Sequence, residues 1–329
     1  MKNPINDLKQ QYEYTMPTYN KLGTNLTEAI EMLLQEHSIE YLKVYHRTKE
    51  TDSFMEKIDR KEYNNPFEEI EDICGIRIIC YYQGDIEKVC KIIDKEFTVL
   101  ESQNKEGLLG TKEFGYRSHH FIVKVKEEWL VTPNYKGLED LKAEIQIRTV
   151  LMHTWAEIEH ELGYKNKENL HPDFERKFSL LSAMLEQVDH QFEELKESIV
   201  KYRDEKTKEA QETGWLQSQS MEDMNIDTFQ VFLDESFPDR KKSPANSVSE
   251  LLTQLKEYKL SYSILNEWYM EYKDVLPEIE EETSYPFYRG RKIWDQVGVV
   301  RMLMFLNIPE FVEKARIPLS LRKVISRHK

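Results

Sequence analysis

Glu144-Ile145-Gln146-Ile147-Arg148 alternates polar and apolar side chains one by one. That is the period of a strand, so Ile145 and Ile147 point one way while Glu144, Gln146 and Arg148 point the other. Three long polar side chains on one face of a core strand call for a use beyond packing. Glu144 can hold a metal or take a hydroxyl proton, with Gln146 and Arg148 orienting it. Upstream, residues 75–82 (GIRIICYY) form a β-branched and aromatic run that reads as a central strand. Gly84-Asp85 closes it ahead of a helix with Ile86, Val89, Cys90 and Ile93 on one face. Residues 97–101 and 120–126 read as two further strands, separated by a glycine-containing loop with Lys105 and Lys112, and a helix follows from about 149 to 162.

Farther out the chain is helical. Residues 1 to about 45 read as helix from the spacing of Leu22, Leu26, Ile30, Leu33 and Leu34, and 52–60 as a second one broken by Asn64-Asn65-Pro66. After His171-Pro172, Phe174, Phe178, Leu181, Leu185, Val188, Phe192 and Leu195 step by three and four into a continuous apolar stripe. Residues 201–220 lose periodicity and read as a linker. Beyond it, Ser247-x-x-Glu250 has the form of a capping box, and 293–306 is an apolar helix. The expected architecture is α+β. A mixed sheet flanked by helices occupies 1–200, a linker 201–220, and an all-α C-terminal region 221–329.

The 329 residues suffice for two domains, and 46 basic against 60 acidic side chains give a net charge of −14. Such a balance excludes wholesale wrapping of nucleic acid, which needs a dense basic surface. No apolar run approaches the ~20 residues of a membrane span, and the Met1-Lys-Asn-Pro start lacks an export signal, so the expected location is the cytoplasm, without membrane attachment. Cys74, Cys80 and Cys90 are odd in number and lack C-x-x-C spacing, as expected of small buried hydrophobes.

Several clusters point to phosphate chemistry. Arg47, Lys49, Ser53 and Lys57 recur at short spacing and can grip a polyphosphate, although a solvated helix face gives the same pattern. Asp72 stands at the mouth of the 75–82 strand with Arg77 behind it, which suits a Mg²⁺-nucleotide site or, equally, a strand cap with an ion pair. Gly115-Tyr116-Arg117-Ser118 offers a ring to stack a base and a guanidinium for phosphate, or a plain turn into a strand. His153, Glu157 and His160 share a helix face in an order that is not H-E-x-x-H, and so line a polar cleft rather than bind zinc. Walker, nucleophile-elbow and dinucleotide-binding glycine motifs are absent from the sequence.

In order, the motifs R-x-K-x-x-x-S-x-x-x-K (47–57), D-I-C-G-I-R (72–77), G-Y-R-S-x-H (115–120), E-I-Q-I-R-T (144–149) and W-A-E-I-E-H-x-x-x-Y-K (155–165) resemble the synthetase domain of the RelA/SpoT family, the alarmone (p)ppGpp synthetases. The resemblance spans roughly 40–165 and implies a nucleotidyltransferase-like mixed sheet. It implies transfer of the β,γ-pyrophosphate of ATP to the 3′-hydroxyl of GDP or GTP, releasing AMP, with Mg²⁺ as cofactor. Carried over, Arg47, Lys49, Ser53, Lys57 and Arg77 would bind ATP. Asp72 and Glu144 would be the catalytic, metal-holding carboxylates, Glu144 alternatively acting as general base. Tyr116 would stack the acceptor guanine, and Lys112, Arg117, His120, Gln146, Arg148 and His153 would complete the acceptor side. Phe114, His119 and His153 depart from the family's usual residues, all on that side.

About 40 residues precede Arg47 and no His-Asp dipeptide occurs, so the hydrolase domain of long family members is not expected, and 200–329 does not resemble their regulatory domains. A helical C-terminal domain of regulatory or interaction type, and a homo-oligomer as among small relatives, are the corresponding expectations. One alternative is a toxin-type pyrophosphokinase modifying the 3′-CCA end of tRNA, suggested by Lys314, Arg316, Arg322, Lys323, Arg327 and Lys329 near the carboxy terminus. Another is an inactive nucleotide-binding module, against which both Asp72 and Glu144 speak.

Overall fold

The computed structural model describes residues 4–61, 63–104, 118–162, 171–213, 224–284 and 294–328. The chain divides into two compact units, Met1–Leu195 and Lys196–Lys329, each with its own apolar core. In chain order the first unit holds α1 (Pro4–Glu36), β1 (Tyr41–Thr48), α2 (Thr51–Arg60), α3 (Pro66–Glu69), β2 (Cys74–Cys80) and α4 (Gln83–Glu96). These are followed by β3 (Thr98–Asn104), β4 (His119–Lys124), α5 (Glu127–Leu130), β5 (Ala143–Thr149), α6 (Val150–Glu161) and the beginning of α7 (Pro172–Thr213).

The strands form one mixed sheet in the order β1-β2-β5-β4-β3. β2 and β5 run parallel, and each other neighbouring pair runs antiparallel. The two strands that sequence reading singled out are thus adjacent and interior. Their register sets Gly75 beside Glu144 and Arg77 beside Gln146, with Arg47 of β1 across from Gly75 and His120 of β4 across from Gln146. Cross-strand partners project from the same side of a sheet. Arg47, Arg77, Glu144, Gln146, Arg148 and His120 therefore share one face.

The intervening residues are buried on the other. Ile76, Ile78, Ile145, Ile147, Phe121 and Val123 belong to one core with Leu22, Leu26 and Ile30 of α1 and Ile86, Val89 and Ile93 of α4. Fully burying each such side chain contributes about 1.5–3 kcal/mol, so this face holds the sheet while the polar face is left for chemistry. Gly23 marks how closely α1 approaches: a Cβ there would lie 2.5 Å from the His46 ring of β1.

The amino-terminal segment departs from expectation. The helix stops at Glu36, and 41–48 is an edge strand rather than helix. Ser38 adopts φ 54°, while its N–H reaches Gln35 O and the Ile39 N–H reaches Leu34 O, a left-handed ending made without glycine. Arg47 consequently sits on a strand and Lys49 in the connection to α2; Ser53 and Lys57 are on α2 itself.

Of the apolar stripe on α7, Phe178 and Leu185 pack against the core, whereas Phe174, Leu181, Val188, Phe192 and Leu195 are exposed. Residues 201–213, read as part of a linker, are helix. Their Lys, Glu, Ala and Gln content supports a helix without an apolar face, and Lys206 pairs with Glu209 one turn on.

In the second unit, α7 is followed by α8 (Ile226–Ser236), α9 (Ala245–Glu257), α10 (Tyr262–Tyr272), α11 (Leu276–Ser284), α12 (Gln296–Asn307), α13 (Pro309–Lys314) and α14 (Leu319–Arg327). Among the described residues it is all-helical, as expected. Phe229, Phe232, Leu251, Leu255, Leu265, Val300 and Leu303 form its core. α9 begins at Ala245, so Ser247 lies inside the first turn instead of capping it. The buried pair Arg240–Glu280 (2.7 Å) is satisfied further by the Trp294 N–H, which donates to Glu280. Among the described residues no helix is long and apolar enough to cross a membrane, and no cysteine forms a disulfide.

Candidate active site

Gly75 has no side chain, and so leaves a gap in the polar face between Arg47 and Glu144. A cavity of about 230 Å³ opens there, lined among others by Arg47, Lys49, Ser53, Asp72, Arg77, Glu144 and Gln146. Seven residues singled out in the sequence therefore meet at one place. Lys57 joins them through Asp72, which is held by Lys57 Nζ at 2.8 Å and Lys49 Nζ at 2.9 Å. Burial alone would raise the Asp72 carboxyl, but the hydrogen bonds from Lys57 and Lys49 outweigh it and hold it below the usual carboxylate range.

Glu144 is the second carboxylate of the cavity. Burial pushes it up as well, and hydrogen bonds from His120 and Gln146 bring it below its ordinary value. Those bonds are part of a chain across the sheet. His120 Nδ1 meets Glu144 Oε1 at 2.7 Å, Gln146 Nε2 donates to Glu144 Oε2 at 3.0 Å, and Arg148 donates to Gln146 Oε1 at 2.7 Å.

A second cavity of about 190 Å³ shares Arg47, Arg77 and His160 with the first and adds Arg148, Ala156 and Glu157. Three guanidiniums thus surround one small space. Arg77 donates to Glu157 at 2.7 Å and to the Tyr45 hydroxyl at 2.9 Å. Burial and the positive charge of Arg77 lower the Arg148 pKa, and burial lowers that of His153. Buried Arg148 Nε has no hydrogen-bond partner among the described residues, and His153 Nδ1 has no hydrogen bond there but faces Glu157 Oε1 at 3.8 Å; a buried polar atom without a hydrogen bond is uncommon.

Arg148 and His153, placed on the acceptor side by resemblance, are neighbours of Arg77 and Tyr45 in the structure. Lys112, Tyr116 and Arg117 lie outside the described residues. Sequence reading passed over Tyr45, Glu56 and Arg60. Tyr45 was hidden by the helix expected there, while Glu56 and Arg60 lie one turn apart on α2, and Ser53 and Lys57 already marked that helix. His160 and Glu157 were seen as a cleft-lining pair, and both line these cavities.

Both carboxyls are ionised near neutrality and face one cavity, which suits a hard divalent cation. Mg²⁺ takes one or two carboxylates and completes its shell with phosphate oxygens and water. Among the described residues no cluster of three or more His, Cys, Asp or Glu forms a cage, so two carboxylates plus substrate phosphates is the arrangement these residues fit.

Two carboxylates at the start of the parallel strands of a mixed sheet thus share one cavity with arginine and lysine side chains. A family model described as the region found in RelA / SpoT proteins matches residues 46–169. GTP pyrophosphokinase YjbM of Bacillus subtilis is 34% identical over 158 residues, 46% of this chain and 71% of that protein. GTP pyrophosphokinase YwaC of the same organism is 28% identical over 172 residues, 50% of this chain and 79% of that protein. The crystal structure of small alarmone synthetase 1 from Bacillus subtilis aligns with a TM-score of 0.48 at 28% identity, covering 58% of this chain and 99% of that one. The chain belongs to the RelA/SpoT family.

Proposed function

We propose that this protein is a pyrophosphokinase that moves the β,γ-pyrophosphate of ATP onto the 3′-hydroxyl of GDP or GTP, releasing AMP and making (p)ppGpp in the cytoplasm. The observation that carries the reading is the meeting of Asp72 and Glu144 with Arg47, Lys49 and Arg77 in one cavity. The naming of its relatives as GTP pyrophosphokinases agrees with it.

Transfer of this kind needs charge neutralisation and in-line positioning more than covalent help. Asp72 and Glu144 would hold Mg²⁺, which would supply neutralisation of phosphate charge there. Lys49 and Lys57, now on Asp72, would turn to the triphosphate when nucleotide binds. Arg47, Arg77 and Arg148 offer guanidiniums to phosphate or adenine, Arg77 exchanging Glu157 for the nucleotide. Glu144 accepts the proton of the attacking hydroxyl, and Tyr116 stacks the acceptor base while Lys112 and Arg117 meet its phosphates. The second unit extends beyond the region shared with the family and serves as a regulatory or interaction domain.

Incubation with γ-labelled ATP, Mg²⁺ and, separately, GDP, GTP or deacylated tRNA tests the reading. Label on GDP or GTP is expected. Label on tRNA alone would replace it with a tRNA-directed activity, and no label on any acceptor would leave a nucleotide-binding module.

A further inference from the structure

Lys49 lies between the end of β1 and the start of α2, in a connection where backbone is ordinarily mobile. Here both of its backbone groups are fixed. Its N–H donates to Ile73 O at 2.8 Å, and its C=O accepts from the Tyr12 hydroxyl at 2.5 Å. The residue before it is tied to the same helix, since Thr48 Oγ1 donates to Asn20 Oδ1 at 2.5 Å. Two side chains of α1 thus hold the chain at 48–49, while the Lys49 ammonium meets Asp72 at 2.9 Å in the cavity.

Tyr12 is fully buried, so it does not reach a nucleotide itself. Its ring stacks on Phe54 of α2 with centroids 4.0 Å apart, and Phe54 in turn meets Phe67 at 5.5 Å. A phenylalanine would fill the same stack, so packing alone does not call for the hydroxyl. Burial pushes the Tyr12 pKa well above its ordinary value, and the group stays a protonated donor. The acceptor it takes is the carbonyl of a lysine that lines the cavity.

This bond differs from the ion pairs of the cavity in what nucleotide asks of it. On the proposed function the Lys49 ammonium leaves Asp72 for phosphate, whereas the Lys49 carbonyl has no part in that exchange. The bond is the same before and after, and it fixes the point about which the side chain turns. A lysine stem already loses rotamer freedom when it grips phosphate. Anchoring the backbone beforehand removes the further cost of ordering the connection.

We propose that Tyr12 is a positioning residue for ATP: its hydroxyl pins the Lys49 backbone so that the ammonium is presented to the triphosphate. This rests on the pyrophosphokinase reading above. Its consequence falls on one substrate only, since nothing that Tyr12 holds is placed on the acceptor side.

The experiment compares the full-length wild type with Tyr12→Phe, Phe67→Leu, Lys49→Met and the double variant Tyr12→Phe with Lys49→Met. Initial rates with γ-labelled ATP, Mg²⁺ and GDP, taken well below each melting temperature, give kcat/KM for ATP and KM for GDP. Tyr12→Phe keeps the stack and loses the bond, so kcat/KM for ATP should fall about 3–10-fold, the worth of one hydrogen bond. Its KM for GDP should stay within about 2-fold of wild type. Phe67→Leu trims the same cluster without touching the bond; it should lower the melting temperature and hold kcat/KM for ATP within about 2-fold. With Lys49→Met already present, Tyr12→Phe should cost no more than about 2-fold, because the ammonium through which it acts is gone.

An unaltered kcat/KM for ATP in Tyr12→Phe, in a wild type that does transfer label to GDP, would make Tyr12 a packing residue and overturn this inference alone. So would an equal loss in Phe67→Leu, or the same loss with and without Lys49. Should the Lys49→Met proteins turn over too slowly to follow, the contrast between Tyr12→Phe and Phe67→Leu decides. A wild type that transfers label to no acceptor overturns the underlying reading, and this inference with it.

Discussion

Asp72 shows how a single side chain is prepared for two partners. Without ligand its oxygens are taken by Lys49 and Lys57. On the proposed function, nucleotide would free the same lysines for phosphate and the same carboxylate for a cation. Asp72→Asn keeps the shape, removes the charge, and leaves two ammonium groups facing a neutral amide. Charge stabilisation at such a site amounts to several kcal/mol, so turnover is expected to fall by about 100-fold or more with circular dichroism unchanged. Wild-type turnover in the Asn variant would remove Asp72 from the site.

The same residue predicts an acid limb in stability. A carboxyl depressed in the folded state binds fewer protons there than in the unfolded chain, so its stabilisation is complete above the unfolded pKa and lost as pH falls through the folded one. Asp72 and Glu144 are both shifted this way. Wild-type thermal stability should therefore decline below about pH 4, and Asp72→Asn should decline less steeply. Parallel melting curves for the two proteins between pH 6 and pH 3 would contradict the assignment.

At the scale of elements, the contact between α1 and β1 is governed by Gly23. The helix accepts a glycine in its interior, at about 1 kcal/mol against alanine, because any Cβ would strike the His46 ring. Gly23→Ala should improve helix propensity and still destabilise the protein by about 1–3 kcal/mol, the cost of overpacking; a chemical-denaturation midpoint raised by the substitution would show that the ring yields freely. This contact also explains what was legible in the sequence. β2, β4 and β5 announced themselves through the alternation of Ile76, Ile78, Ile145, Ile147, Phe121 and Val123, since burial on one face writes a period of two. β1 did not. It lies at the sheet edge with Val44 as its one buried residue, and its helix stop is Ser38 in a left-handed conformation that normally calls for glycine. The carboxylates were readable because they flank strand patterns. The chain of hydrogen bonds to Glu144 was not, because it depends on the β4–β5 register, which no local spacing encodes.

The whole molecule carries two separate cores, and this has a thermodynamic signature. Ile145 and Ile147 lie in the core of the first unit, Leu255 and Leu303 in that of the second. Removing a fully buried leucine costs about 2–5 kcal/mol, and a domain with its own core loses that stability locally. Nucleotide bound at the polar face of the sheet, as proposed, would stabilise only the unit that binds it, by an amount that grows with the logarithm of its concentration. Calorimetry of the full chain is therefore expected to resolve two transitions. Leu255→Ala should lower one of them and leave the nucleotide-dependent rise of the other in place, while Ile145→Ala should lower the nucleotide-sensitive one. A single transition that responds to both substitutions and to nucleotide would mean that the two cores unfold as one cooperative unit, and the helical domain would then be part of the catalytic body rather than a separable regulator.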